Sequence, residues 1–178
     1  MTTQVPYDGA PVLAPPCMHR GTEPVPVGPY EIFAGGTQYR LLMDEEMRRR
    51  YDLVISLTAL SEKTERWFAE SFGEQFWYMP LKDFGGVPPD WREFVARVAG
   101  ELAAEKRILV FCIGSHGRTG TLIASLIALL ESGTTDPIAA VRARHCPHAV
   151  ETAAQADAVL ALRRASSTEE VPAGIAVP

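Results

Sequence analysis

Cys112 and Arg118 stand with five residues between them in Phe111-Cys112-Ile113-Gly114-Ser115-His116-Gly117-Arg118-Thr119-Gly120, and the two side chains can combine a nucleophile with a fixed cation. Two of the five enclosed residues are glycines, which lets the backbone curl until successive N–H groups point inward as an anion-binding nest. Arg118 closes the nest, because a guanidinium grips two oxygens of one phosphate at once. The expected phosphate-binding set is therefore Ile113, Gly114, Ser115, His116 and Gly117 through the loop, with the side chain of Arg118.

Such a loop needs an element on either side to hold it. Residues 107–111 are short, apolar and rich in β-branched side chains, which predicts a buried strand; residues 119–130 predict a helix that is apolar on nearly all faces. An anion in a strand-to-helix turn sits at the positive end of the helix, where unpaired N–H groups need partners. The same field favours the thiolate form of a cysteine over the thiol. A thiolate at Cys112 can attack phosphorus and form a covalent intermediate.

Cys112-x5-Arg118-Thr119-Gly120 resembles the signature loop of the cysteine-dependent protein tyrosine phosphatases, and the chain is most similar to the small dual-specificity branch. Two further segments extend the likeness. Residues 80–89, with Asp83 in a Gly/Pro-rich turn 29 residues before Cys112, resemble the general-acid loop; residues 147–155 resemble a late segment ending in a glutamine that faces the site. The resemblance covers roughly residues 80 to 155 and extends less specifically to about residue 26. It implies that Asp83 protonates the leaving group and then acts as base toward water. It also implies that Thr119 hydrogen-bonds the leaving thiolate and that Gln155 positions the water. The implied substrate is a phosphorylated protein or peptide, with an RNA 5′ phosphate or a phosphoinositide as alternatives. Ile113 and His116 replace the lysines that inositide-directed loops tend to carry, which ranks lipids low.

Each of these residues also has a plainer reading. Cys112 as a small buried hydrophobe, Thr119 as a helix N-terminal hydroxyl, Asp83 as a turn aspartate and Gln155 as a solvated helix residue are the alternatives. Asp90, the local rival of Asp83, is expected to be the N-cap of the following helix. Two residues depart from the family pattern: Phe111 stands where most members carry a histidine, and His116 is an unusual occupant of the loop. No metal ligation is expected at His116, because no second histidine or carboxylate lies at ligand spacing in its own segment. No cofactor is expected either, since Arg118 and the loop amides already supply a positive field. Two other function classes remain: a phosphate-binding module with little turnover, and a sulfur- or arsenic-handling enzyme. The late position of the loop and the presence of Asp83 argue against the second.

Composition sets the bounds. With 178 residues and 47% apolar content the chain can bury one substantial core, and its net charge of −5 disfavours nucleic acid or an anionic membrane as partner. Three cysteines are an odd count, which suggests reduced thiols in a cytoplasmic setting. Cys146 reads as an unpaired loop cysteine, with resolution of an oxidised Cys112 as its functional alternative. No run of about 18 apolar residues and no charged-then-apolar leader is present in the sequence.

The expected organisation is an extended or poorly ordered arm over residues 1–21, a catalytic domain over 22–165 and a frayed tail over 166–178. Strands are expected at 30–34, 52–57 and 75–79, and a short helix at 44–50. Trp91, Phe94, Val95, Val98 and Leu102 recur at helical spacing, Asp136-Pro137 opens a helix to Arg144, and a last helix spans 151–163. The expected fold class is α/β: a single-domain protein tyrosine phosphatase-like fold. It has a central, mostly parallel sheet flanked by helices on both faces, and its site lies at the carboxyl end of a central strand.

Overall fold

A strand as uniformly apolar as the one before Cys112 can be stable only where both of its faces and both of its edges are covered. The computed structural model describes residues 22–36 and 45–168, together with His19. It places this strand in the middle of a five-stranded sheet. The strands are β1 (Glu23–Val27), β2 (Tyr30–Gly36), β3 (Leu53–Ser56), β4 (Phe76–Tyr78) and β5 (Ile108–Cys112), in spatial order β1-β2-β5-β3-β4. All neighbours are parallel except β1, which runs antiparallel to β2 at the edge. Among the described residues five helices longer than one turn pack around the sheet: α1 (Glu62–Phe72), α2 (Trp91–Ala103), α3 (Gly117–Leu130), α4 (Pro137–Arg144) and α5 (Ala153–Thr168).

Side chains alternate across a strand, and in β5 this alternation divides the interior in two. Ile108, Val110 and Cys112 face the larger core, shared with α2 and α3 through Phe94, Val98, Leu122 and Leu126. Leu109 and Phe111 face a smaller cluster with Tyr51, Val54, Phe68 and Phe72, covered by α1. Helices thus cover both faces, and the expected α/β architecture is the observed one. Inside the larger core Trp91 Nε1 donates to Ser125 Oγ at 3.1 Å, tying α2 to α3 without leaving the indole unsatisfied.

Several elements differ from expectation. Strand β1 lies outside the expected strands; its edge position tolerates Pro24 and Pro26, since no second neighbour needs their missing N–H groups. Helix α1 was not expected either, although Ser61 caps it by accepting from Thr64 N at 3.3 Å and the helix buries Phe68 and Phe72. The helix expected at 44–50 is a single described turn, Glu45–Arg48. Asp90 is a correction: it precedes α2, but its side chain makes no capping bond, and Trp91 N instead donates to Pro88 O at 3.1 Å in a turn. Asp136 does cap as expected, its Oδ1 accepting from Ile138 N and Ala139 N at 3.0 and 2.9 Å. The last helix, expected over 151–163, runs from Ala153 to Thr168. Residues 169–178 and, His19 and Thr22 onward excepted, the expected N-terminal arm lie outside the described residues.

Candidate active site

Parallel pairing brings the carboxyl ends of three strands side by side, with Gly36 of β2 opposite Cys112 and Ser56 of β3 opposite Phe111. Cys112 ends β5 and is 2% exposed. The chain then turns through residues 113–116 and enters α3 at Gly117. Ser115 adopts a left-handed backbone with φ of 61°, and its N–H donates to Cys112 Sγ at 3.2 Å. The loop therefore curls back over the sulfur, with a backbone donor aimed at it. His145 holds the loop from outside, its Nε2 lying 2.6 Å from Ser115 O. A carbonyl only accepts, so Nε2 carries the proton. Burial, only partly opposed by that bond, pushes the His145 pKa below its usual value, which keeps the ring a neutral donor.

Arg118 lies in the first turn of α3 with its side chain almost fully buried. Nη1 donates to Thr58 Oγ1 at 3.3 Å and to Leu81 O at 3.4 Å, while Nη2 pairs with Asp83 Oδ1 at 2.9 Å. Those partners come from the segments that follow β3 and β4, and the two segments are joined by Leu81 N donating to Leu57 O at 3.1 Å. Asp83 itself sits in an exposed turn closed by Gly85 N donating to Lys82 O at 2.9 Å. The guanidinium is held on one edge by fixed groups and on the other by a carboxylate on a surface loop.

The opposite wall comes from the connection between α4 and α5. Arg142 pins it, Nε donating to Ala149 O at 3.0 Å and Nη2 to Val150 O at 3.1 Å. Glu151 follows, and its backbone N–H donates to Gln155 Oε1 at 2.8 Å. Both side chains reach the first residue of α3: a Cβ on Gly117 would lie 2.1 Å from Glu151 Oε2 and 3.1 Å from Gln155 Nε2. Only glycine admits that carboxylate to the helix N-terminus. Burial first, and then the nearby Asp83 charge, raise the Glu151 pKa above the ordinary carboxylate value.

A cavity of about 190 Å³ is lined by Cys112, Arg118, Asp83 and Glu151, with Phe84 and Ile113 at its mouth. Thr119 Oγ1 and Gln155 Nε2 are buried and have no hydrogen-bond partner among the described residues. Unsatisfied buried polar atoms are costly and tend to mark functional positions. The structure thus brings Cys112, Arg118 and Asp83 to one cavity and Gln155 to its edge. Thr119 is one residue beyond Arg118 in α3, fully buried. Sequence reasoning overlooked Glu151; the available signal was a charged residue within 147–155, the segment singled out for its terminal glutamine. Phe111 points away, its ring 5.8 Å from that of Phe68 in the smaller cluster.

Known proteins resemble this chain in sequence and in fold. The family model described as PTP-SAK: Swiss Army Knife protein, DSP-PTPase phosphatase domain, matches residues 28–173. Two uncharacterized proteins of Methanocaldococcus jannaschii are 40% and 36% identical over 85 residues, 47% of this chain. The chain spans about half the length of these curated relatives, 52% and 56%. Among solved structures, Tk-PTP in its active form superposes with a TM-score of 0.65 at 21% identity, covering 79% of this chain and 96% of that one. Kinase associated phosphatase with its catalytic-site cysteine replaced by serine gives 0.66 at 13% identity, covering 84% and 98%. Human DUSP28 gives 0.61 at 12% identity, covering 85% and 99%. At these identities the structural likeness establishes the fold.

Proposed function

The chain belongs to the PTP-SAK family of DSP-PTPase phosphatase domains, and from that membership we propose that it hydrolyses phosphomonoesters through a cysteinyl-phosphate on Cys112. The observation that carries the reading is the shared cavity of Cys112, Arg118 and Asp83 at the N-terminus of α3. Cys112 Sγ attacks phosphorus, the ester oxygen departs with a proton from Asp83, and Arg118 with the loop amides of residues 113–117 holds the remaining oxygens. In the second step water attacks the phosphocysteine, Asp83 takes a proton from it, and Thr119 donates to the departing thiolate. Gln155 Nε2, beside Gly117, orients the water.

The proposed substrate is a phosphorylated protein or peptide, with phosphotyrosine favoured. Phe84 and Ile113 are 65% and 56% exposed at the mouth, two of the three large apolar side chains exposed among the described residues. An apolar rim suits a phosphate carried on an aryl group better than one on a hydrated polyol. PTPMT1, a fold neighbour with a TM-score of 0.55 at 12% identity, covers 80% of this chain and has been seen in complex with PI(5)P. No loop residue between Cys112 and Arg118 is a lysine that would recognise such a headgroup. Cys112 and Cys146 are free thiols, which suits a reducing compartment such as cytoplasm. Among the described residues no helix is long and apolar enough to cross a membrane.

The decisive experiment compares wild type with Cys112→Ser on an aryl phosphate and, separately, for binding of phosphate or vanadate. The expected result is turnover by wild type only, with oxyanion binding by both. Wild-type rates from Cys112→Ser would refute the mechanism, and binding without turnover by the wild type would favour a phosphate-binding module.

A further inference from the structure

The sequence contains four histidines, and the fold gathers all four around one thiol. Cys146 is fully buried, with Sγ 3.2 Å from His116 Nδ1. The His116 ring centre lies 5.2 Å from that of His19 and 6.3 Å from that of His148, and His19 lies 4.8 Å from His145. One ligand atom from each of His19, His116 and Cys146 lies within 4.8 Å of the other two. Tetrahedral zinc, with bonds of about 2.0–2.3 Å, sets its ligand atoms roughly 3.3–3.6 Å apart, so shifts of about 1 Å close the set.

Two features outside the trio support a built site. His19 is fixed where it stands by Gly36 N donating to its carbonyl at 3.0 Å. Glycine is needed there, because a Cβ on Gly36 would lie 2.7 Å from Ile113 O and 3.3 Å from His19 O. The end of β2 thus makes room for both His19 and the phosphate loop. In addition, His148 N donates to Cys146 Sγ at 3.4 Å. A backbone donor on the sulfur stabilises the thiolate that a metal ligand must be.

We propose that His19, His116 and Cys146 bind a soft divalent cation of the zinc class on the flank of the phosphate loop. Two imidazoles and a thiolate select such an ion over magnesium or calcium, which take oxygen ligands. Three protein ligands leave the fourth position to water. The expectation that His116 ligates no metal rested on spacing within one segment; here the partners come from residues 19 and 146, brought together by the fold. Because His116 belongs to the loop between Cys112 and Arg118, an ion at this site ties His19 to the place proposed to bind phosphate.

The test is titration of the full chain with Co²⁺, read by the thiolate-to-cobalt charge-transfer absorption, followed by displacement with Zn²⁺ and a parallel addition of Mg²⁺. Wild type and Cys112→Ser should each take up one equivalent, Zn²⁺ should abolish the band and Mg²⁺ should leave it. Cys146→Ser should lose the band. His19→Ala, which keeps the thiol, should weaken affinity by more than the ~10–100-fold that loss of an outer-shell partner costs. Circular dichroism checks that each variant folds, and His19→Ala carries the test if Cys146→Ser does not. Absence of binding by wild type, loss of the band in Cys112→Ser, or unchanged affinity in His19→Ala would each overturn the proposal.

Discussion

Arg118 Nη2 lies 2.9 Å from Asp83 Oδ1, so the cation proposed to hold phosphate is paired with the acid proposed to protonate its leaving group. Arg118 is nearly buried and anchored by Thr58 and Leu81, whereas the Asp83 side chain is 54% exposed on a turn. The exposed partner of the pair is therefore the aspartate. In the proposed mechanism an arriving oxyanion replaces that carboxylate at the guanidinium and frees it for proton transfer.

Asp83→Asn should accordingly split binding from turnover. With the aspartate exposed and the guanidinium buried, the pair is worth about 1 kcal/mol, so removing the competing charge should tighten phosphate or vanadate by about fivefold. Rates on substrates with basic leaving groups should fall ~10²–10⁴-fold, and much less on a nitrophenyl ester whose leaving group needs no proton. Steady-state kinetics on both substrate types, beside calorimetric oxyanion binding, checks this. An equal loss on both substrates would assign Asp83 a structural role.

Glu151 should impose a pH dependence on stability. Burial and the Asp83 charge raise its pKa above the ordinary 4.5, so the folded state holds a proton that the unfolded state has lost. Its contribution is fully present below 4.5 and is lost as pH climbs through the raised value. The thermal midpoint of wild type should fall across that window relative to Glu151→Gln, and the two should run parallel at lower pH. Parallel curves throughout would show that the carboxyl is not buried as described.

Phe111→His restores the residue usual in the family, yet the structure predicts harm. Position 111 faces Phe68, Phe72 and Tyr51, on the side of β5 opposite the catalytic cavity. An imidazole there loses aromatic packing and buries polar nitrogens, which should cost roughly 3 kcal/mol. Urea melts should show that loss, and the pH profile of Cys112 alkylation should stay where it is in wild type. A profile moved to lower pH would mean that the side chain reaches the thiol.

Far from the cavity, Glu131 joins three elements. It accepts from Gly28 N at 2.7 Å in the β1–β2 turn and pairs with Arg144 at the end of α4. Hydrogen bonding from Arg144, foremost, holds its pKa down at about 2 against an opposing effect of burial. Its stabilisation is present above 4.5 and is lost as pH falls toward 2. Glu131→Gln should cost about 1–2 kcal/mol at neutral pH, leave turnover unchanged, and converge with wild type in acid melts.

The chemistry of the site was easier to read from sequence than the frame that holds it. Cys112, Arg118 and Asp83 lie in short segments whose spacing is dictated by one loop and one turn, so local reading placed them. Glu151 was missed because its importance depends on Gly117, which lies in another element and lacks a Cβ. Strand β1 was missed because its prolines are acceptable only at an edge, and edge position is a property of the whole sheet. Helix α1 hid behind a polar sequence whose few aromatics bury against Phe111, a residue more than 35 positions later. The histidine cluster joins residues 19, 116 and 145–148, and no window along the chain contains it.

Strand β5 is paired on both edges, to β2 and β3, and every one of its side chains is buried. Amides in such a position exchange with solvent only through the largest openings a protein undergoes. The proposed nucleophile, Cys112, is thus mounted on the part of the molecule that opens last. Heat inactivation should therefore coincide with global melting, and the catalytic rate becomes a gauge of how much of the population is folded.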